Sequence, residues 1–265
     1  MTDPNSLATE SAATLNNRLL QRYTEAVDAE TLRQFAADKR LSGLFIPAVS
    51  ASYTRSKARL LIVGRETAGW RSHIDVSVSP DSANVAHYLQ RQMLYHTEKV
   101  HNVSATSKFF QFYRHAARTV ASPEDRTSQD APVWANLFCV DANETRPDNG
   151  AGPITAKIVA LSAELLRIQI DVLRPQMIVF ATGSSCDHYL KTFHRDPSAN
   201  SKVHVPKRLW EFSVATGGDS GDPVRIRAFR TPHPRHTASN AIRNALVSEA
   251  ITPGALEQHL ASARL

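Results

Sequence analysis

The chain has 265 residues, of which 42% are hydrophobic and 21% are charged, as is usual for one large or two small globular domains. Its 31 lysines and arginines exceed its 25 aspartates and glutamates, and the net charge of +6 suits a polyanionic partner. The two cysteines, Cys139 and Cys186, are too few for a four-cysteine iron–sulfur cluster or a cysteine-rich zinc site.

Residues 1–50 predict a helical extension, in which Leu32, Phe35 and Ala36 recur at helical intervals. The first residues include acids and lack the apolar core of a signal peptide, and no apolar run approaches the about 20 residues that span a bilayer. We therefore expect a cytoplasmic protein without a membrane partner.

The next elements are a strand in "ARLLIV" at 58–63 and a helical tract over 81–120 that is broken near "HNVSATS". A second strand is predicted in "APVWANLFCV" at 131–140, and a helix follows it. Apolar residues at three- and four-residue steps mark that helix: Ile158, Leu161, Leu165, Ile168 and Val172.

A third strand is predicted in "QMIVFATG" at 176–183, and "SSCDHYLKTF" then predicts a helix. Residues 193–224 have little periodicity and predict a long connection. The chain continues with a fourth strand, "VRIRAFR", the loop "TPHPRHTASN" and a final helix from about 239. Alternating strands and helices predict an α/β domain over 51–265, with three layers (α/β/α) and a central, mostly parallel four-stranded sheet.

Polar loops follow all four predicted strands: "GRETAGW", "NLFCVDANETRP", "TGSSCDHY" and "TPHPRHTASN". In open parallel sheets, ligands bind beyond the carboxyl ends of the strands. The four segments, in this order over roughly 58–245, resemble the motifs of the uracil-DNA glycosylase superfamily. The resemblance implies that fold and the removal of uracil, or of another damaged or modified base flipped out of DNA, as in base excision repair. It also implies a monomer that uses no cofactor or metal, and the cysteine count excludes the iron–sulfur branches of the superfamily.

The resemblance assigns catalysis to Glu66, which would orient water and stabilise the sugar cation, and to His233, which would donate a hydrogen bond to the departing base. The amide of Asn136 suits the edge of a flipped base, and Trp70 would stack on the base. Gly64 and Arg65 complete the expected base-binding residues. The expected DNA phosphate contacts are Ser184, Ser185, Arg235 and His236.

The first motif departs from the family pattern Gly-Gln-Asp-Pro-Tyr-His. Glu66 occupies the acid position, Thr67 replaces the proline, and Ala68 replaces the tyrosine that excludes the thymine methyl group. A base other than uracil is therefore a plausible substrate. In the last motif, the family pattern His-Pro-Ser-Pro-Leu reads His-Pro-Arg-His-Thr, so the apolar wedge is missing, and Arg235 could fill the gap or hold a phosphate.

Two other functions fit parts of the sequence. A serine hydrolase would use Ser185 at a strand–turn–helix junction and His233 later in the chain, although Asp187 replaces the second glycine of Gly-x-Ser-x-Gly and no acid completes a triad. A glycosylase fold without turnover would only bind nucleic acid or a nucleotide.

Overall fold

The computed structural model describes residues 10–70, 74, 82–102, 106–149, 152–191, 193, 201–217 and 224–262. The strands in these ranges are β1 (Leu60–Gly64), β2 (Val133–Asn136), β3 (Met177–Phe180), β4 (Lys202–Val205), β5 (Leu209–Thr216) and β6 (Val224–Arg230). The helices are α1 (Ala12–Ala26), α2 (Ala29–Ala37), α3 (Ala51–Arg55), α4 (Ser82–His101), α5 (Lys108–Val120), α6 (Pro153–Leu173), α7 (Asp187–Leu190), α8 (Asn240–Glu249) and α9 (Ala255–Ser262).

The strands form one mixed sheet in the order β2–β1–β3–β6–β5–β4. The first four of these strands are parallel, whereas β5 is antiparallel to both of its neighbours. The α/β prediction is therefore confirmed, but the sheet has six strands among the described residues and not the four that we expected.

The two additional strands lie in the segment that the sequence predicted to be a connection. In β5, Trp210, Phe212 and Val214 are buried and alternate with more exposed residues, which is the period of a half-buried strand. The outer strand β4 is mostly exposed and has no such pattern. The alternation of β5 is therefore present in the sequence, but it was not recognised within the long, mostly polar segment 193–224.

Helices cover both faces of the sheet. Leu61 and Val63 of β1 belong to one hydrophobic cluster, which includes α1 and α6, whereas Leu60 and Ile62 belong to a second cluster, which includes α5 and α8. Alternate residues of a strand point to opposite faces, so the two clusters are the two cores of a three-layer arrangement.

The predicted helices agree with the structure in part. All five periodic residues of α6 are buried, and α4 and α5 are separated near the predicted break. The single final helix that we expected is wrong, because residues 250–254, which include Pro253 and Gly254, separate α8 from α9. None of the helices in the described ranges has the length and apolar composition that crossing a bilayer requires.

Candidate active site

A cavity of about 360 Å³ opens at the carboxyl ends of β1 and β2. It brings together Glu66, just after β1, Asn136, the last residue of β2, and His233, in the loop after β6. The parallel order of these strands places three side chains that are distant in sequence at one edge of the sheet. Gly64, Arg65 and Arg235 also line the cavity.

Glu66 is almost enclosed, since its side chain is 9% exposed. One oxygen pairs with the Arg65 guanidinium at 3.3 Å, and the other oxygen, Oε2, is buried without a hydrogen-bond partner among the described residues. Burial raises the pKa of the Glu66 carboxyl above its ordinary value, although the nearby charges of Arg65, Arg146 and Arg235 oppose this increase. Buried polar atoms are almost always hydrogen-bonded, so this oxygen is a candidate acceptor for a donor group of a ligand or a water molecule.

His233 is held as a neutral hydrogen-bond donor. Its Nδ1 accepts the backbone N–H of Arg235 at 3.2 Å, so the proton of the neutral ring lies on Nε2. Burial lowers the pKa of His233 to about 3, and the positive charges of Arg65 and Arg235 add to this effect. A neutral imidazole with its N–H free can donate to an oxygen that gains negative charge.

The backbone of the His233 loop is fixed by Arg243 of α8, which the sequence analysis did not single out. Arg243 is 1% exposed and donates to the carbonyl groups of Pro232 and His236, both at 3.1 Å. These contacts link α8 to residues on either side of the imidazole. An arginine within an amphipathic helix gives no local signal of such a role.

Asn136 is 5% exposed, and its Oδ1 accepts the indole N–H of Trp134 at 3.1 Å. Its Nδ2 is buried and has no partner among the described residues. The neighbouring strand has Gly64 in register with Asn136, and the absence of a side chain at Gly64 makes room for the amide. The cavity that Glu66 and His233 line is therefore also lined by a residue whose amide N–H group has no partner among the described residues.

The expected stacking role of Trp70 is wrong. Trp70 is 1% exposed, its indole N–H donates to the Leu44 carbonyl at 3.0 Å, and its ring packs against Phe45 in the core. The Phe and Trp side chains that do line the cavity are Phe109 and Phe110, at the start of α5, and Trp134 of β2. Phe109 is only half-buried, and it lines the cavity.

Asp141 fixes the loop that carries Glu66. One of its carboxylate oxygens accepts the Thr67 hydroxyl and the backbone N–H groups of Gly69 and Trp70, and the other accepts the N–H of Glu144. Asp141 is itself buried. The sequence analysis noted the loop after β2 but missed this contact, which joins two segments distant in the chain.

A second cavity, of about 380 Å³, adjoins the first and shares Arg65 and His233 with it. It contains three of the four predicted phosphate contacts, Ser184, Ser185 and His236, whereas Arg235 lines the first cavity. The turn between β4 and β5 adds Lys207 and Arg208, and the described lining includes no carboxylate. The helix that follows the two serines has only four residues, so the cationic side chains and not a helix dipole favour an anion here.

The geometry does not support a serine hydrolase. In a Ser–His–acid arrangement, His233 Nδ1 would donate to a carboxylate, but it accepts a backbone N–H. The Ser185 hydroxyl contacts the Arg146 guanidinium at 3.2 Å. These contacts are not those of an activated serine.

No protein family matches this chain, and none of the curated proteins matches it. The described residues contain no group of three or more His, Cys, Asp or Glu side chains that is arranged to hold a metal ion. Cys139 and Cys186 are both buried and unbridged. The polar groups that line the first cavity include the Glu66 carboxylate, the His233 imidazole, the Asn136 amide and the Arg65 guanidinium.

Proposed function

We propose that the chain is a DNA glycosylase of the uracil-DNA glycosylase type, which hydrolyses the N-glycosidic bond of uracil or of another damaged or modified base flipped out of DNA. The observation that supports the proposal is the convergence of Glu66, His233 and Asn136 on one cavity. A volume of about 360 Å³ lies at the small end of the range for ligand pockets, as a single nucleobase requires.

The charges of the site match those of the reaction. When the C1′–N bond breaks, its electron pair leaves with the base, and the sugar becomes a cation. The His233 Nε2–H donates to the base carbonyl oxygen as negative charge develops there. Glu66, as a carboxylate, stabilises the sugar cation and accepts the proton of the water that adds to C1′.

The second cavity suits the DNA backbone beside the flipped nucleotide. Arg65, Lys207 and Arg208 provide cationic groups next to the catalytic cavity, and Ser184 and Ser185 provide hydroxyl groups. Phosphates are bound by side chains of these kinds, which position DNA without reading its sequence. The net charge of +6 agrees with a DNA partner.

The test is abasic-site formation by the full chain on oligonucleotides, single- and double-stranded, that carry uracil, hypoxanthine, xanthine or a thymine mismatch. We expect release of at least one of these bases. Glu66→Gln and His233→Ala should each lower kcat at least about 100-fold and change DNA affinity little, because both groups act on charges that form in the transition state. His188→Ala, which changes an exposed histidine outside both cavities, is the control.

Salt-sensitive DNA binding without release of any base would overturn the glycosylase proposal in favour of a nucleic-acid-binding protein. Equal losses of affinity and rate in the Glu66 and His233 variants would contradict the assigned catalytic roles.

A further inference from the structure

The side chains of Trp134 and Asn136 form a hydrogen-bonded pair on one face of β2. The two residues are two positions apart, so their side chains point in the same direction, and the Trp134 Nε1–H donates to Asn136 Oδ1 at 3.1 Å. Both residues line the catalytic cavity. The indole therefore occupies Oδ1 of the Asn136 amide, and Nδ2 is the group left for another partner.

The Trp134 ring is held in place by its surroundings. It lies 4.8 Å from the ring centroids of both Phe45 and Phe110, and 5.7 Å from that of Trp70. The backbone carbonyl of Trp134 is hydrogen-bonded to His96 Nε2 at 3.0 Å. A ring packed on several sides has little freedom to turn its N–H away from Asn136.

A rotated amide is disfavoured at this position. If the Asn136 amide turned over, its NH₂ group would meet the Trp134 N–H, and two donors would face each other without an acceptor. The amide therefore keeps Oδ1 towards Trp134 and keeps Nδ2 as an unsatisfied buried donor among the described residues. Buried polar groups are almost always hydrogen-bonded, so a ligand acceptor is the expected partner.

We propose that Trp134 is a specificity-determining residue, which orients the Asn136 amide so that the cavity accepts a heterocycle with a carbonyl oxygen at that edge and rejects one with an amino group. Uracil, thymine and hypoxanthine belong to the accepted class, and cytosine and adenine belong to the rejected class. The identity of the ligand as a nucleobase rests on the proposed function. Trp134 acts through Asn136 as a positioning residue.

The discrimination has a direct physical cause. A carbonyl oxygen satisfies the Asn136 N–H, whereas an amino group places a second donor against it and leaves both unpaired. Leaving a buried donor unpaired costs free energy. We therefore expect the wild-type chain to bind uracil at least about 10-fold more tightly than cytosine. We expect a similar preference for hypoxanthine over adenine.

The experiment measures binding of these four free bases to the full chain by NMR titration, with the Asn136 side-chain amide signals as the readout. Trp134→Phe keeps an aromatic ring and removes the N–H. We expect it to reduce the uracil-to-cytosine preference to within about 3-fold, because the freed amide can turn and accept from an amino group. Trp210→Phe is the matched control, since it removes an indole N–H that donates to Ser201, just before β4, and it should keep the wild-type preference.

Three results would overturn the inference: equal affinity of the wild-type chain for uracil and cytosine, no binding of any of the four bases, or an unchanged preference in Trp134→Phe. Parallel cleavage assays separate the inference from the proposed function. Selective binding without cleavage of any substrate would overturn the glycosylase and retain the role of Trp134. Cleavage with a base preference that Trp134→Phe leaves intact would overturn the role of Trp134 alone.

Discussion

Gly64 lies opposite Asn136 on the neighbouring strand, and a β-carbon at Gly64 would lie 2.5 Å from Asn136 Oδ1 and 3.2 Å from the Phe109 ring. The first distance is shorter than any tolerated contact, and the strand pairing prevents the two backbones from separating. The glycine therefore determines where the amide can lie.

We expect Gly64→Ala to lower kcat/KM for base release at least about 10-fold, because the added methyl group displaces the amide that we propose contacts the base. Overpacking should also lower the free energy of unfolding by about 1–3 kcal/mol. Denaturant titration and steady-state kinetics measure the two effects. Gly217→Ala is the control, since a β-carbon there meets no described atom within 4 Å. Equal behaviour of the two variants would contradict the close contact.

The rate of base release should fall at acidic pH because of Glu66. In the proposed mechanism the carboxylate is the active form. Burial raises the pKa of Glu66, so we expect the rate to fall as the pH drops through a value above the ordinary range of a glutamate. His233 adds no step in this range, because its pKa of about 3 keeps it neutral. A pH–rate profile of kcat/KM tests this, and a midpoint at or below the ordinary glutamate value would contradict it. The residual activity of Glu66→Gln should lack the acidic limb.

Lys207 and Arg208 should contribute to the salt dependence of DNA binding. Each phosphate that a protein neutralises contributes about 0.7–0.9 to the slope of log K against log salt, so the double alanine variant should have a slope that is smaller by up to about 1.8. Lys57→Ala is a matched control, because Lys57 is exposed and precedes β1 at the opposite edge of the sheet. Fluorescence anisotropy at several salt concentrations gives the slopes. An unchanged slope in the double variant would remove both residues from the interface.

His96 should make the fold sensitive to acid. Its Nδ1 accepts the Ala48 N–H and its Nε2 contacts the Trp134 carbonyl, and burial lowers its pKa to about 4. The unfolded chain binds a proton more readily between about pH 6.5 and 4, so this contribution to stability is present above that window and is lost as the pH falls through it. Between pH 7 and pH 5, we expect the free energy of unfolding to fall by about 2 kcal/mol less in His96→Asn than in the wild-type chain.

Urea titrations at these two pH values measure the difference directly. His188→Ala, which removes an exposed histidine, should retain the wild-type pH dependence. A His96→Asn variant that loses as much stability on acidification as the wild-type chain would contradict the assignment.

Removal of the Asp141 carboxylate should affect both the loop and the reaction. Asp141→Ala leaves several backbone N–H groups of the Glu66 loop without their acceptor, so we expect a loss of about 1–3 kcal/mol of stability and a lower kcat. Thr67→Val removes one hydroxyl contact alone and should have a smaller effect on both quantities. A larger loss in Thr67→Val than in Asp141→Ala would show that the carboxylate is not the organising group.

Local patterns in the sequence predicted the elements that have a regular burial period. Continuous apolar runs predicted β1 and β3, and apolar residues at three- and four-residue steps predicted α6. These predictions succeeded because the residues of these elements are buried in a regular pattern along the chain. The edge strand β4 has two exposed and two half-buried residues and lacks a regular burial pattern, so the antiparallel extension of the sheet was missed. Pairing with a neighbouring strand stabilises it, and a neighbour is not visible in a local pattern.

The candidate site also combines features that follow from local sequence patterns with features that depend on long-range packing. The sequence placed Glu66 and His233 after predicted strands and Asn136 within one. Parallel strands end at a common edge, so the meeting of these residues in one cavity follows from the strand order. Which aromatic ring enters that cavity does not follow, because Trp70 and Phe109 have similar chemistry and differ in what packs around them. The contacts of Asp141 with the Glu66 loop and of Arg243 with the His233 loop are likewise set by long-range packing. The periodicity of a sequence indicates which residues are buried. The hydrogen-bond partner of a buried polar group is set only when distant segments of the chain pack together, so it cannot be read from a local pattern.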